Sequence, residues 1–267
     1  MFSPKWMSDH SKAPVNPVQP LFITAFATTS AVGRGTSALW RALEGGTSGL
    51  TANDFGHSPV DCWIGRVAGL EDEPLASSYQ EFDCRNNRLA YLALQQDGFL
   101  HAIEDLKNRR DPRRIGLFLG TSTSGILSTE EAFRTQRETG AFPDDYHYRE
   151  TQDLYSVTDF VRRRLGLKGP AHTVSTACSS SAKVFCDAHR FIASGICDAA
   201  IAGGVDSLCL TTLFGFNSLE LVSSQVCRPF DQARNGISIG EAAGFMMLER
   251  ESGDRAEFAL LGYGESS

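Results

Sequence analysis

The sequence predicts a layered α/β fold, and three observations support this class. Helical and strand-like segments alternate from about residue 20 to the end, as in sheets covered by helices. Hydrophobic residues make up 42% of the 267-residue chain and charged residues 21%, which is typical of a folded rather than a disordered protein. Two short runs, 115–119 and 197–205, are almost wholly apolar, as expected of strands that are buried on both faces.

The first half of the chain contains four predicted segments. A strand is predicted at 20–28, and the S-A-V-G-R-G turn leads from it into a helix at 36–44. Residues 50–84 are rich in turn formers and are predicted to be irregular. Apolar side chains recur at helical spacing over 88–107, which predicts one long helix there.

The second half continues the alternation. The strand at 115–119 ends in G-T-S-T-S-G, residues 120–125, which fits a pocket lining, a close subunit contact or a plain turn equally well. Helices are predicted near 129–137 and 152–165. The chain then restarts at a Gly-Pro pair as the strand that leads to Cys178, and a helix and the strand at 197–205 follow.

Cys178 stands in V-S-T-A-C-S-S-S, where a short β-branched run ends and small residues open a helix. In the first turn of that helix, unpaired N–H groups and the positive end of the helix dipole favour a thiolate and can hold an oxyanion. The small neighbours let an acylated sulfur approach the backbone. The alternative is a structural cysteine, because isolated cysteines are among the most buried side chains.

Composition argues against several classes of function. A net charge of -7 disfavours a nucleic-acid partner. The 7 cysteines include no C-x-x-C pair, which disfavours a disulfide framework and a zinc site and indicates a reducing compartment. No apolar run reaches membrane-spanning length. Residues 1–19 lack the apolar core of a signal peptide, so we predict a flexible arm there, one domain over 20–267 and a cytoplasmic location.

Three long motifs in register carry a family resemblance. They are G-P-A-H-T-V-S-T-A-C-S-S-S, S-G-I-C-D-A-A-I-A-G-G-V-D and C-R-P-F-D-Q-A-R-N-G-I-S-I-G-E-A-A-G-F-M-M-L-E. In order and spacing they resemble the N-terminal half of a β-ketoacyl-acyl carrier protein synthase of the elongating I/II type. The resemblance implies a thiolase-like fold, in which this chain is the N-terminal αβα half of a five-layered αβαβα architecture. It also favours the nucleophile over the structural role for Cys178.

The resemblance implies a reaction in two stages. An acyl group moves from the phosphopantetheine thioester of acyl carrier protein onto Cys178, and malonyl carrier protein then loses carbon dioxide. The resulting carbanion attacks the acyl-enzyme and gives a β-ketoacyl product. The resemblance implies no metal and no bound organic cofactor. The implied partners are acyl carrier protein and a second synthase chain, in a homodimer or heterodimer joined through the region of the nucleophile strand.

Further residues match family positions around the acyl pocket. Thr123 matches a position beside the pocket and Phe216 one near its entrance, with a turn residue and a core aromatic as the respective alternatives. Ile237 replaces the aromatic of the family's D-G-F, since this chain has N-G-I there. That exchange changes the expected shape of the pocket. Asp206 and Glu241 match positions for which we expect a structural role.

The pathway stays open between two alternatives. The short segment 219–228 and the triplet C-S-S-S resemble synthases of aryl polyene and polyketide-type pathways. The motifs shared with fatty acid elongation are equally present, and both pathways use the same condensation chemistry. Fatty acid elongation and aryl polyene or polyketide elongation are therefore both retained.

The family's C-terminal half carries two histidines that stabilise the charge produced by decarboxylation. None of the 6 histidines of this chain stands in the family's H-G-T or N-x-x-x-G-H context. We therefore expect a truncated synthase that exposes apolar faces and decarboxylates poorly by itself. The alternative is a noncatalytic subunit that binds carrier protein or shapes a partner's acyl pocket. Subunits of that kind typically lack the cysteine that this chain keeps.

Overall fold

The computed structural model describes residues 18–251, 256 and 258–265. Its strands are β1 (Leu21–Ser30), β2 (Gly33–Arg34), β3 (Thr51–Ala52), β4 (Trp63–Gly65), β5 (Ile115–Gly120), β6 (Ala171–Val174), β7 (Ala199–Asp206), β8 (Ile239–Gly240), β9 (Ala242–Glu249) and β10 (Phe258–Leu260). Its α-helices are α1 (Thr36–Gly45), α2 (Arg85–Leu94), α3 (Phe99–Arg109), α4 (Ile126–Thr139), α5 (Tyr148–Thr151), α6 (Ser156–Leu165), α7 (Ser180–Ala193) and α8 (Leu210–Ser218). The predicted division into an arm at 1–19 and a domain at 20–267 stays a prediction, since residues 1–17 lie outside the described part.

Most strands belong to one mixed sheet. Its order in the described residues is β10-β1-β9-β7-β5-β6, and β2 pairs with β1. The strands β5, β6 and β7 are parallel, whereas β9 pairs antiparallel with both β7 and β1. A second small sheet has the order β3-β4-β8. Because the ends of parallel strands meet at one edge, the segments after β5, β6 and β7 come together there.

Helices cover both faces of the large sheet. One core packs α2, α3 and α6 against alternate residues of β1, β5, β7 and β9. The opposite core packs α7, through Val184, Ala188 and Ile192, against Phe118 and the intervening residues of β7. The predicted αβα layering is therefore present. None of the helices in the described ranges has the length and apolar character needed to cross a bilayer.

The single helix predicted over 88–107 is wrong, because two helices, α2 and α3, fill this stretch. Asp97 and Gly98 between them have φ angles of 56° and 69°, in the left-handed region that interrupts a helix. The break places the Asp97 carboxylate at the start of α1, where it accepts hydrogen bonds from the Thr36 N–H at 3.0 Å and the Thr36 hydroxyl at 2.7 Å. The sequence signal is the D-G pair, a turn former inside an otherwise helical pattern.

An open depression of about 1630 Å³ lies over β1 and β9, beside α7. Its lining includes Phe26, Trp40, Leu43 and Phe258, which are 39%, 63%, 68% and 55% exposed. The helix α1 buries none of its residues. Contiguous exposed apolar side chains mark an interaction surface or cause aggregation. The apolar face expected from the sequence is present here.

We expect the isolated chain to self-associate through this depression. Changing Leu43 to Glu should weaken the association about tenfold or more, because a charge replaces an apolar contact. Sedimentation or light scattering over a concentration series measures the dissociation constant. Leu154→Glu is the matched control, since Leu154 is 44% exposed and does not line the depression. A strictly monomeric wild-type chain would contradict the expectation.

Candidate functional site

Cys178 lies at the edge of the sheet where β5, β6 and β7 end. The strand β6 ends at Val174, and the cysteine sits in a short 3₁₀ turn, Ala177–Ser179, that leads directly into α7. The prediction that Cys178 lies in the first turn of the α-helix is therefore corrected by a few residues. The thiol is exposed, as a nucleophile requires and as a core cysteine would not be. Exposure of Cys178 disfavours a buried core cysteine, and its role as the nucleophile stays a prediction.

The turn that carries Cys178 is strained and is clamped by its neighbours. Ala177 has a φ of 53°, which is unfavourable for any residue with a Cβ. The Ser180 hydroxyl accepts from the Thr176 N–H at 2.9 Å and donates to the Ala177 carbonyl at 2.6 Å. The Ser179 hydroxyl donates to the Thr176 carbonyl at 2.9 Å. The serines of the C-S-S-S run therefore hold the backbone that presents the thiol.

Two glycines let the beginning of α7 lie directly on the sheet. A Cβ at Gly120, the last residue of β5, would stand 2.4 Å from the Ser180 carbonyl carbon. A Cβ at Gly204 in β7 would stand 2.2 Å from the Ser181 Cβ. Both distances are below any real contact, so only glycine fits. These glycines allow the close packing of α7 on the sheet and so help to fix the position of Cys178. The sequence alone did not reveal this role.

Thr123 lies in the turn after β5, at the same edge as Cys178, but its hydroxyl is already used. It donates to Asp206 Oδ1 at 3.1 Å and accepts from the Ser207 N–H at 3.0 Å. The same Asp206 oxygen accepts from the Ser122 N–H at 2.6 Å. Asp206 therefore fixes this turn, which supports its expected structural role. The network favours the plain-turn alternative for residues 120–125.

Phe216 and Ile237 lie in different surroundings: Phe216 packs in a separate core, whereas Ile237 is exposed. Phe216 on α8 packs against the cluster that contains Phe55 and Leu213. Ile237 is 42% exposed, and its N–H donates to the Leu221 carbonyl at 2.8 Å. Among the described residues, no hydrogen bond joins Cys178 to Thr123, Phe216 or Ile237. A direct role for these three at the thiol stays a prediction.

Two histidines near α7 are engaged away from the thiol. His172 Nε2 lies 3.0 Å from Asp187 Oδ2, and its ring centroid is 4.8 Å from that of Phe118. His189 Nε2 lies 3.2 Å from the Gln19 carbonyl oxygen. Neither histidine forms a hydrogen bond with Cys178. In the described ranges, no group of His, Cys, Asp and Glu side chains is placed to hold a metal ion.

A buried ion pair joins the segments that surround this edge. Glu241 accepts from Arg85 Nε at 2.8 Å and from Arg85 Nη2 at 2.6 Å. The same carboxylate accepts from the N–H groups of Val67 and Leu208, each at 2.9 Å. Leu208 follows β7, so Glu241 ties the end of this strand to the beginning of α2. The expected structural role of Glu241 is supported, but its partner Arg85 is 156 positions away and was missed.

Burial makes several of the other cysteines less reactive than Cys178, so alkylation of the folded chain should be selective. Burial raises the pKa of the Cys84 thiol to about 12 and that of Cys197 to about 11. At pH 8 only about one Cys84 thiol in ten thousand is ionised, and the thiolate is the reacting species. We expect iodoacetamide to modify exposed Cys178 in the folded chain, and Cys84 and Cys197 only after unfolding. Peptide mass spectrometry measures this order, and equal labelling rates of Cys84 and Cys178 would contradict it.

Comparison with known proteins identifies relatives over most of the chain. Residues 19–253 match the family model described as Beta-ketoacyl synthase, N-terminal domain. A 3-oxoacyl-[acyl-carrier-protein] synthase 2 of Rhizobium meliloti (strain 1021) is 32% identical over 169 residues, which cover 58% of this chain and 40% of that protein. The putative polyketide beta-ketoacyl synthase 1 of Streptomyces halstedii is 28% identical over 263 residues, which cover 90% of this chain and 62% of that protein.

A solved structure gives the same result at the level of the fold. It contains a ketosynthase in complex with its chain length factor from Xenorhabdus doucetiae, and it superposes with a TM-score of 0.78 at 33% identity. The match covers 87% of this chain and 58% of that chain. This chain thus spans between 40% and 62% of the length of these relatives.

Proposed function

The chain belongs to the β-ketoacyl synthase family, matching its N-terminal domain, and on this premise we propose that Cys178 accepts an acyl group as a thioester. One observation carries the proposal. Cys178 is an exposed thiol on a strained turn at the beginning of α7, at the edge where three parallel strands end. Membership of the family supports thioester chemistry at this thiol. Its exposed position supports access by a substrate.

The proposed first stage is a thioester exchange. The Cys178 sulfur attacks the carbonyl carbon of an acyl thioester carried on the phosphopantetheine arm of acyl carrier protein. Unpaired N–H groups at the beginning of α7 are donors that can stabilise the negative charge that develops on oxygen. When the tetrahedral intermediate collapses, the carrier's carbon–sulfur bond breaks, and the carrier leaves as a thiolate that takes up a proton. No metal and no bound organic cofactor takes part in this stage.

The proposed second stage forms the new carbon–carbon bond. Malonyl carrier protein loses carbon dioxide, and the electron pair of the broken bond remains as a carbanion. The carbanion attacks the acyl carbon on Cys178, the carbon–sulfur bond breaks, and the sulfur leaves as a thiolate. Donors must stabilise the thioester oxygen during decarboxylation. His172 and His189 have other partners, so we assign only the acyl-accepting stage to the described residues.

The partners are proposed from the chemistry and from the relatives. Acyl carrier protein delivers the acyl and malonyl groups, and a second synthase chain completes the assembly in a homodimer or a heterodimer. The Xenorhabdus doucetiae structure pairs a ketosynthase with a chain length factor, which supports a heterodimer. The relatives named for polyketide synthesis and for 3-oxoacyl carrier protein synthesis keep polyketide-type and fatty acid elongation both open. A cytoplasmic location accords with carrier-bound substrates.

The test is acylation of the purified chain by an acyl carrier protein that bears a saturated acyl chain. We expect intact-mass spectrometry to show one acyl group on the wild-type chain and none on the Cys178→Ala variant. Cys227→Ala is the matched control, because Cys227 is the other cysteine that is not buried, and it should be acylated at the wild-type rate. Equal acylation of Cys178→Ala and wild type would overturn the proposal.

A second measurement separates an enzyme from a noncatalytic subunit. Malonyl carrier protein is added to the acylated chain, and the β-ketoacyl product is followed by mass spectrometry. We expect product formation by this chain alone to be on the order of a hundredfold slower than by an assembly with a second synthase chain, because His172 and His189 among the described residues have other partners and do not supply the donors for decarboxylation. The same assay is then run on the assembly that contains the Cys178→Ala variant. Loss of product supports an enzyme, whereas an unchanged amount of product supports the noncatalytic alternative.

A further inference from the structure

A second, smaller cleft lies on the face of the sheet opposite α7. It has a volume of about 260 Å³ and is lined by Leu75, Ala76, Tyr79, Tyr91, Phe160 and Arg164. From this arrangement we infer that the cleft binds a small carboxylate joined to a flat apolar group. This inference goes beyond the proposed function, because Cys178 and α7 lie across the sheet from the cleft.

Aromatic rings form the apolar part of the cleft. Phe160 is fully buried, and the Tyr79 ring meets it edge to face with centroids 5.5 Å apart. The Tyr91 ring meets Phe160 at 6.4 Å, also edge to face. Tyr79 and Tyr91 are half-buried, so each keeps part of its ring surface open. Aromatic rings favour flat apolar ligands, which can add a further offset or edge-to-face contact.

The charged group of the cleft has no acidic partner. The Arg164 guanidinium lies over the Tyr91 ring, with Cζ 5.5 Å from the centroid. In the described part of the chain, no carboxylate pairs with it. Its neighbour Arg163 differs, since it contacts Asp159 at 2.9 Å and Glu81 at 3.3 Å. An unpaired guanidinium held against an aromatic ring is a carboxylate-binding group.

Two phenol groups add to this donor set. Neither the Tyr79 nor the Tyr91 hydroxyl has a hydrogen-bond partner among the described residues. A phenol donates one hydrogen bond and a guanidinium donates up to five, whereas a carboxylate only accepts. The lining therefore supplies donors for a carboxylate and rings for the group attached to it. A cation would meet Arg164 and no carboxylate, so the cleft disfavours it.

Benzoate is the probe that tests this inference, in calorimetric titrations of the full chain. We expect saturable binding with a Kd on the order of 1 mM, within the range open to so small a ligand. Arg164→Gln should weaken binding roughly tenfold or more, because a charge-assisted hydrogen bond is lost. Arg163→Gln is the matched control and should leave the Kd within about twofold. Circular dichroism of both variants confirms that they are folded.

Two related probes define the ligand chemistry. Benzamide keeps the ring and removes the charge, and acetate keeps the charge and removes the ring. Each should bind roughly tenfold more weakly than benzoate. Tyr91→Phe, which keeps the ring and removes one donor, should weaken benzoate binding severalfold. The inference is overturned by absence of saturable benzoate binding, by equal binding of benzamide, or by equal losses in Arg163→Gln and Arg164→Gln.

Discussion

Replacing Glu241 by alanine should lower the free energy of unfolding by about 3 to 5 kcal/mol, because it leaves the Arg85 guanidinium buried without its main counter-charge. Glu241 is 3% exposed and Arg85 is 8% exposed, so water replaces neither partner easily. The change also leaves the buried N–H groups of Val67 and Leu208 without their acceptor. Urea unfolding followed by circular dichroism measures the loss.

The chain offers a matched control for this prediction. Glu71 contacts the same Arg85 guanidinium at 2.7 Å, but the Glu71 side chain is 48% exposed. Glu71→Ala should therefore cost less than about 1 kcal/mol, as exposed ion pairs do. Equal losses for Glu71→Ala and Glu241→Ala would show that burial does not govern this network. The segment after β7 lies at the same sheet edge as Cys178, so its displacement should slow acylation. A normal acylation rate in Glu241→Ala would show that the network does not position this segment.

The parts of the fold that depend on local pattern could be predicted from the sequence. The apolar run 115–119 becomes β5, whose residues are all buried, and the helix predicted at 36–44 is α1 at Thr36–Gly45. Apolar periodicity and turn formers act over a few residues, so a single sequence contains them. The same local signals placed Cys178 at the junction of a strand and a helix. The alternation of elements predicted an α/β layer fold, and the family resemblance implied its αβα arrangement.

The features that depend on distant partners could not be predicted in this way. No pattern in the sequence pairs Arg85 with Glu241. The D-G pair signals a break at Asp97, but nothing in the sequence indicates that the Asp97 carboxylate binds Thr36. Thr123 matches a family position beside the acyl pocket. Its hydroxyl, however, forms hydrogen bonds with Asp206 and Ser207, which are more than 80 residues away in the sequence. Hydrogen bonds of this kind are settled only when the elements pack together.

Replacing Gly120 by alanine should displace the beginning of α7 and cost about 3 kcal/mol of stability or more. The new Cβ would lie 2.4 Å from the Ser180 carbonyl carbon and 2.5 Å from the Ser181 nitrogen. Both are backbone atoms, so no side-chain rotation relieves the clash and the helix itself must move. The turn that holds Cys178 moves with it, and a misplacement of about 1 Å can slow a reaction on the order of a hundredfold. Urea unfolding and the rate of Cys178 acylation measure the two effects.

Gly244 in β9 provides the comparison that isolates the cause. It pairs with Gly204 across the sheet, but a Cβ added there would meet nothing closer than the Ala27 carbonyl oxygen at 3.8 Å. Gly244→Ala should therefore keep the wild-type acylation rate and leave stability unchanged or raise it by about 0.5 kcal/mol, because alanine restricts the unfolded chain. If both variants lost stability and acylation rate equally, the effect would come from replacing any strand glycine and not from the contact between β5 and α7. If only Gly120→Ala loses stability and rate, the close seat of α7 on β5 is what presents the thiol.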